Sequence, residues 1–220
     1  MNPELKALYA IFSVFLTTIA FIPYIVETWK TKGCNEVRPT VSGFMCWTLS
    51  DAAILAAMIA GETISWQMVP YVFGGTLVIA LSLRKSFRIA QMRGEITSWK
   101  DAFADWDGKD TACIIIVVTA VVVWGIKHDP DYAIYLTVFS TSIGTWAVAR
   151  HLARDPYRES LVAWVLFLVG GYFGVAAIPA WNVTGAVAPI LFVGIQGMMV
   201  VLCMRRFQSQ FRFAKSQDGK

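Results

Sequence analysis

The sequence predicts an all-α integral membrane protein, with seven transmembrane helices forming two parallel three-helix bundles joined by helix 4. Composition is the first observation: 56% of the 220 residues are hydrophobic and 15% are charged, whereas soluble domains carry about 25% charged residues. The second is that the apolar residues form seven runs near the ~20 residues that a membrane-crossing helix needs. The third is that basic residues cluster in alternate connections.

The seven runs account for most of the chain. The fourth is short but contains no charge, and Asp110 and Lys127 at its ends can reach the membrane surface. The first run lacks a basic leader and a cleavage site, so it is interpreted as a retained helix rather than a signal peptide. In order, the runs are Ala7–Val26, Val41–Ala60, Trp66–Leu83, Thr111–Ile126, Tyr132–Ala149, Leu161–Ile178 and Val183–Met204.

The basic residues predict the orientation of the helices. Seventeen of the nineteen lysines and arginines follow the odd-numbered runs, and only Lys6 and Lys127 lie on the other side. Cytoplasmic connections are enriched in basic residues. We therefore expect a multi-pass protein of the cell (plasma or inner) membrane, with its N-terminus outside and its C-terminus in the cytoplasm. This bias accounts for the net charge of +4, so the lipid bilayer is the expected partner and nucleic acid is not.

The two halves of the chain match at an offset of 117 residues. Because helices 1 and 5 cross in the same direction, the repeats are predicted to be parallel, a plan in which transporters bind their solute between the repeats. The matches are Thr28-Trp29 with Thr145-Trp146, Pro39 with Pro156, Trp47 with Trp164, and, two residues out of step, Pro70 and Gly75 with Pro189 and Gly194. The predicted organisation is a first repeat (1–84), an amphipathic cytoplasmic connector (85–109), linker helix 4 (110–127), a second repeat (128–206) and a basic tail (207–220).

The stretch Phe-Leu-Thr-Thr at 15–18, followed by Pro23, resembles helix 1 of the SWEET and SemiSWEET sugar transporters of the PQ-loop group. That resemblance implies alternating access for a sugar-like solute, with helix prolines acting as hinges. Pro23, Pro39 and Pro156 stand at three of those hinge positions. Pro39 and Pro156 also suit the start of a helix, a common place for proline.

Three departures from the family pattern leave the solute open. Tyr24 replaces the glutamine that usually follows the helix 1 proline, and Tyr71 and Ile190 replace the asparagines that face the sugar. Transporters for nicotinamide riboside and proton-coupled amino-acid exporters share the architecture and remain alternatives. A further alternative is a membrane receptor or assembly protein that does not transport and binds a partner through the 3–4 connector.

Asp51 is the leading candidate for a functional side chain. A carboxylate near the middle of a membrane helix costs about 2.5–3.5 kcal/mol to insert, so it should face the bundle interior. Trp47 lies one turn earlier on the same face. This pair suits a cationic or hydroxylated solute or a proton-coupled step; a structural hydrogen bond is the alternative.

Five other residues complete the predicted binding site. Aromatic faces stack on rings and hold cations, and hydroxyl or amide groups line polar paths or join helices. These residues are Tyr71, Thr141, Trp164, Tyr172 and Gln196. The sequence carries no nucleophile, metal or phosphate-loop signature, so we predict neither an enzyme nor a cofactor; a homo-oligomer and a bound proton are left open.

Overall fold

The computed structural model describes residues 2–29, 40–60, 68–92, 107–127, 130–178, 181 and 183–217. Within these residues the chain forms seven α-helices and no strand, which confirms the predicted all-α class. The helices are α1 (Pro3–Trp29), α2 (Val41–Ala60), α3 (Met68–Met92), α4 (Gly108–Lys127), α5 (Pro130–Arg154), α6 (Leu161–Ala176) and α7 (Val183–Gln217). Each contains or nearly matches one predicted run, and α2 has the predicted bounds.

Several helices continue beyond their apolar runs into charged sequence. Helix α3 takes in the first residues of the predicted 85–109 connector and ends at Met92. The next described residue is Asp107, so the amphipathic helix predicted between them lies outside the described residues.

Three helical segments in the described part of the chain are long and apolar enough to cross a membrane: α1, α4 and Ala186–Arg205 of α7. The apolar parts of α2 and α6 are shorter. Large apolar side chains point outward, with Ile11 65% exposed and Ile126 71% exposed. Soluble proteins rarely expose extended apolar surface, so this pattern fits a membrane protein.

Local sequence explains where two of the helices begin. Ser160 caps α6, since its Oγ accepts a hydrogen bond from the backbone N–H of Ala163 at 3.3 Å. Asp107 stands before α4, and its Oδ1 accepts from the backbone N–H groups of Lys109 and Asp110 at 2.8 and 3.0 Å. Both are standard N-terminal caps, which satisfy donors that the first helical turn leaves free.

The helices pack in a connected pattern. Helix α1 contacts α3 and α6; α2 contacts α3, α4 and α5; and α7 contacts α5 and α6, while α4 also contacts α5. Glycine permits the closest approaches: a Cβ on Gly43 of α2 would lie 2.1 Å from Cγ2 of Val148 on α5. Between α1 and α6, the Ser13 hydroxyl donates to the carbonyl of Gly170 at 2.8 Å.

A charged cluster joins the start of α4 to the end of α5. Arg150 donates to both Asp107 and Asp110, with its Nη2 2.7 Å from Asp110 Oδ1, and His151 Nε2 lies 3.2 Å from Asp110 Oδ2. The Arg150 guanidinium holds the pKa of Asp107 well below its usual range. Arg150 also covers the ring of Trp146. The cluster therefore anchors α4 to the second half of the chain.

Candidate solute-binding cavity

A cavity lies where six of the seven described helices meet. Its water-accessible volume is about 50 Å³, room for a few water molecules at ~10–15 Å³ each. Helix α4 contributes no residue to it. The thirteen lining residues are Phe21, Phe44, Trp47, Thr48, Asp51, Tyr71, Gly75, Thr141, Trp164, Phe167, Phe192, Ile195 and Gln196.

Seven of the lining residues are aromatic, and they form a continuous wall. The rings of Trp47 and Trp164 meet edge to face, with centroids 5.6 Å apart and planes at 72°. Phe44 packs on Trp47 at 5.3 Å, and Tyr71 stacks on Phe167 at 5.9 Å. Edge-to-face and offset arrangements are the favourable ones for aromatic pairs, so the wall is a stable surface.

Hydrogen bonds hold two of the polar lining residues in place. The Trp47 indole N–H donates to the backbone oxygen of Thr141 at 3.2 Å and to Oγ1 of Thr145 at 3.1 Å. The Gln196 amide donates to the Tyr71 hydroxyl oxygen at 2.9 Å. These bonds fix the donors of Trp47 and Gln196 against neighbouring helices.

Other polar atoms of the lining are buried without a hydrogen bond among the described residues. They are Thr48 Oγ1, Asp51 Oδ1, Thr141 Oγ1, Trp164 Nε1 and Gln196 Oε1. Each such group costs about 1–3 kcal/mol if it stays unpaired, and most buried polar groups in proteins have a partner. Five such atoms belong to the side chains that line this one cavity.

The cavity contains six of the seven predicted binding residues. Tyr172 does not line it, and its side chain is 60% exposed. Eight residues separate it from Trp164, and this spacing carries it about 80° around α6. The six that line the cavity are Trp47, Asp51, Tyr71, Thr141, Trp164 and Gln196.

The predicted hinge prolines occupy different settings. Pro23 lies inside α1, where it cannot donate a hydrogen bond to the carbonyl of Ile19. Pro156 lies in the turn between α5 and α6, before the Ser160 cap, and is not inside a helix. Pro39 falls outside the described residues.

No protein-family model, curated protein or solved structure matches this chain.

Two lining residues of α2, Phe44 and Thr48, were not predicted, although their spacing could have indicated them. They lie three or four residues from Trp47 and Asp51, so all four share one face of the helix. Phe21 and Phe167 carried no comparable signal, because aromatic residues on apolar helices are common on every face.

A buried carboxylate, Glu159, lies behind the aromatic wall and was also missed. Its side chain has no exposed surface, and it accepts hydrogen bonds from the Tyr24 hydroxyl and, at 3.2 Å, from the backbone N–H of Thr40. Burial raises the pKa of Glu159, although Tyr24, Thr40 and the nearby Trp164 indole favour its charged form. Glu159 thus joins α1 to the starts of α2 and α6.

Proposed function

We propose that this protein is a membrane transporter that carries a small polar solute through the central cavity by alternating access between its two halves. The observation that carries the proposal is the cavity itself. It is lined by side chains from six helices, seven of the lining residues are aromatic, and several buried polar atoms of the lining lack partners among the described residues. Ligand sites commonly combine a mainly apolar lining with a few placed polar groups.

The helix contacts support two equivalent halves. When α1, α2 and α3 are matched in order with α5, α6 and α7, the contact of α1 with α3 corresponds to that of α5 with α7, and α2 with α3 corresponds to α6 with α7. The contact between α1 and α6 likewise corresponds to the contact between α5 and α2. Trp47 and Trp164, which match in the repeat, touch each other at the cavity. Equivalent residues meet in this way near a two-fold axis, the place where repeat transporters bind their solute.

Movement between the halves explains how a small cavity could pass a solute. Room for a few waters is too little for a sugar or an amino acid, so the helices must separate to admit one. Pro23 weakens α1 between Phe21, which lines the cavity, and Tyr24, which bonds to Glu159. We assign Pro23 as the hinge on this ground.

The proposal includes a multi-pass location in the cell membrane with the N-terminus outside. All seven helices would cross the bilayer, including α3 and α5, whose ends carry basic residues. The support is the distribution of lysine and arginine along the sequence.

Reconstitution into liposomes tests the function. Uptake of labelled sugars, nucleosides, amino acids and amines should be saturable for at least one class, and Asp51→Asn and Thr48→Val should reduce it several-fold. Thr119→Val is the matched control, because Thr119 is exposed on α4 and bonds only within its own helix. Absence of flux for every class, with the protein folded in the liposomes, would reject transport.

Asp51 also offers a route for proton coupling. If it exchanges a proton during transport, an imposed pH gradient should drive uptake in the wild type, and in Asp51→Asn the gradient should no longer accelerate the reduced downhill flux that this variant keeps. If gradient-driven uptake persists in Asp51→Asn, or is absent in the wild type, the coupling role is rejected and transport itself is not.

A further inference from the structure

We propose that the cavity selects a small organic cation, such as a primary amine or a quaternary ammonium compound, over neutral and anionic solutes. This inference rests on the proposed function, since it names the solute class of the same cavity. Three features carry it: the charge of the lining, the two unpartnered acceptors among its polar atoms, and its aromatic wall.

The lining carries a single acid and no base. Asp51 is the one acidic side chain among the thirteen lining residues, and no lysine, arginine or histidine is present in that set. Arg150, in the cluster between α4 and α5, is paired with Asp107 and Asp110 and does not line the cavity. A buried carboxylate without a counter-charge is unfavourable, and a cationic solute would supply that charge.

The free hydrogen-bonding groups of the lining include two acceptors. Asp51 Oδ1 and Gln196 Oε1 have no partner among the described residues, and an ammonium group, which only donates, could donate to either. The Trp164 indole N–H and the hydroxyls of Thr48 and Thr141 are also without a partner there, whereas the Trp47 N–H and one N–H of the Gln196 amide are engaged. The preference for a cation over an anion therefore depends first on the charge of Asp51, and the two acceptors add to it.

The aromatic wall adds attraction for the same charge. Rings attract cations over their faces by about 0.5–2 kcal/mol, most strongly when both are away from water. Trp47 lies one turn from Asp51, and its ring packs edge to face against the ring of Trp164. A cation beside Asp51 and this indole pair would contact both a carboxylate and an aromatic ring, and an uncharged solute of the same shape would gain neither charge interaction.

The test compares matched pairs on the purified full-length wild-type protein by titration calorimetry. The first pair is choline and the uncharged alcohol in which carbon replaces its quaternary nitrogen; the second is benzylamine and benzyl alcohol. We expect the cation of at least one pair to bind at least about tenfold more tightly, a factor equal to 1.4 kcal/mol. Equal binding within both pairs, or no binding of either cation, would overturn the inference.

Variants then locate the preference. Asp51→Asn should reduce the cation-to-neutral ratio towards one and leave the affinity for the neutral alcohol nearly unchanged, while Thr119→Val should alter neither. If Asp51→Asn keeps the wild-type ratio of cation to neutral affinity, the assignment of the preference to Asp51 is overturned. The comparison of cation with neutral alcohol on the wild-type protein does not depend on any variant. If cations bind but no solute crosses the liposome membrane, transport is rejected and the cation preference is kept. If a neutral sugar is transported and cations are not preferred, the cation preference is rejected and transport is kept.

Discussion

Replacing Gly43 by alanine should destabilise the contact between α2 and α5. The new Cβ would lie 2.1 Å from Cγ2 of Val148 and 3.3 Å from the carbonyl oxygen of Gly144. Carbon atoms in contact are normally separated by about 3.5 Å or more. Val148 has no exposed surface, and valine in a helix strongly prefers one χ1 rotamer, so the two helices must move apart.

The expected loss is the difference between two effects. Overpacking a core costs about 1–3 kcal/mol, and alanine favours the helix over glycine by about 0.5–1 kcal/mol. At the middle of these two ranges the free energy of unfolding should fall by roughly 1 kcal/mol. At about 2–4 °C per kcal/mol for a chain of this length, thermal unfolding in detergent should shift down by roughly 2–4 °C.

Two further variants make this prediction sharp. Gly194→Ala on α7 is the control, because a Cβ there would meet no atom within 4 Å, and it should leave stability unchanged or slightly higher. Val148→Ala should make Gly43→Ala less harmful, giving a favourable coupling in the double-mutant cycle. If Gly43→Ala is as stable as the wild type, or its effect is independent of Val148, α2 and α5 do not pack as described.

The remaining predictions use the polar groups and the topology. Burial raises the pKa of Glu159 in the folded chain. Between about pH 4.3, the usual pKa of glutamate, and this higher pKa, the folded chain holds a proton that the unfolded chain has released. The free energy of unfolding should therefore fall as pH rises through this range. The pH dependence of the free energy of unfolding should disappear in Glu159→Gln and persist in the control Asp155→Asn, at an exposed position. An unchanged pH dependence in Glu159→Gln would contradict the assignment to Glu159. Arg150→Met should lower the free energy of unfolding by about 3–5 kcal/mol, because it leaves the buried Asp110 carboxylate without the Arg150 guanidinium. Arg150→Lys keeps a positive charge and should lower it less. Equal stability of the wild type and both variants would show that the cluster contributes nothing. The orientation can be tested by labelling single introduced cysteines in intact cells. Cysteines at positions 61 and 183 should react from outside, and those at positions 94 and 216 should react only after permeabilisation. The reverse pattern would overturn the proposed topology.

The sequence by itself determined the number and the position of the helices. Their limits depend on local properties: an apolar run of sufficient length, a capping side chain such as Ser160, and charge beyond the ends. For this reason α2 and the start of α6 fall where the sequence predicts them. The shared face of Trp47 and Asp51 is equally local, since it follows from a spacing of four residues.

Only the tertiary structure decided which helix faces meet at the cavity. In a membrane helix the lipid-facing side and the buried side are both apolar, so hydropathy does not distinguish exposed Tyr172 from buried Phe167 on α6. Nor does sequence reveal that Glu159, in a basic connection, is buried by Tyr24 from a helix 135 residues away. Such contacts depend on how separate helices pack, and a one-dimensional pattern of apolar residues leaves that packing undetermined.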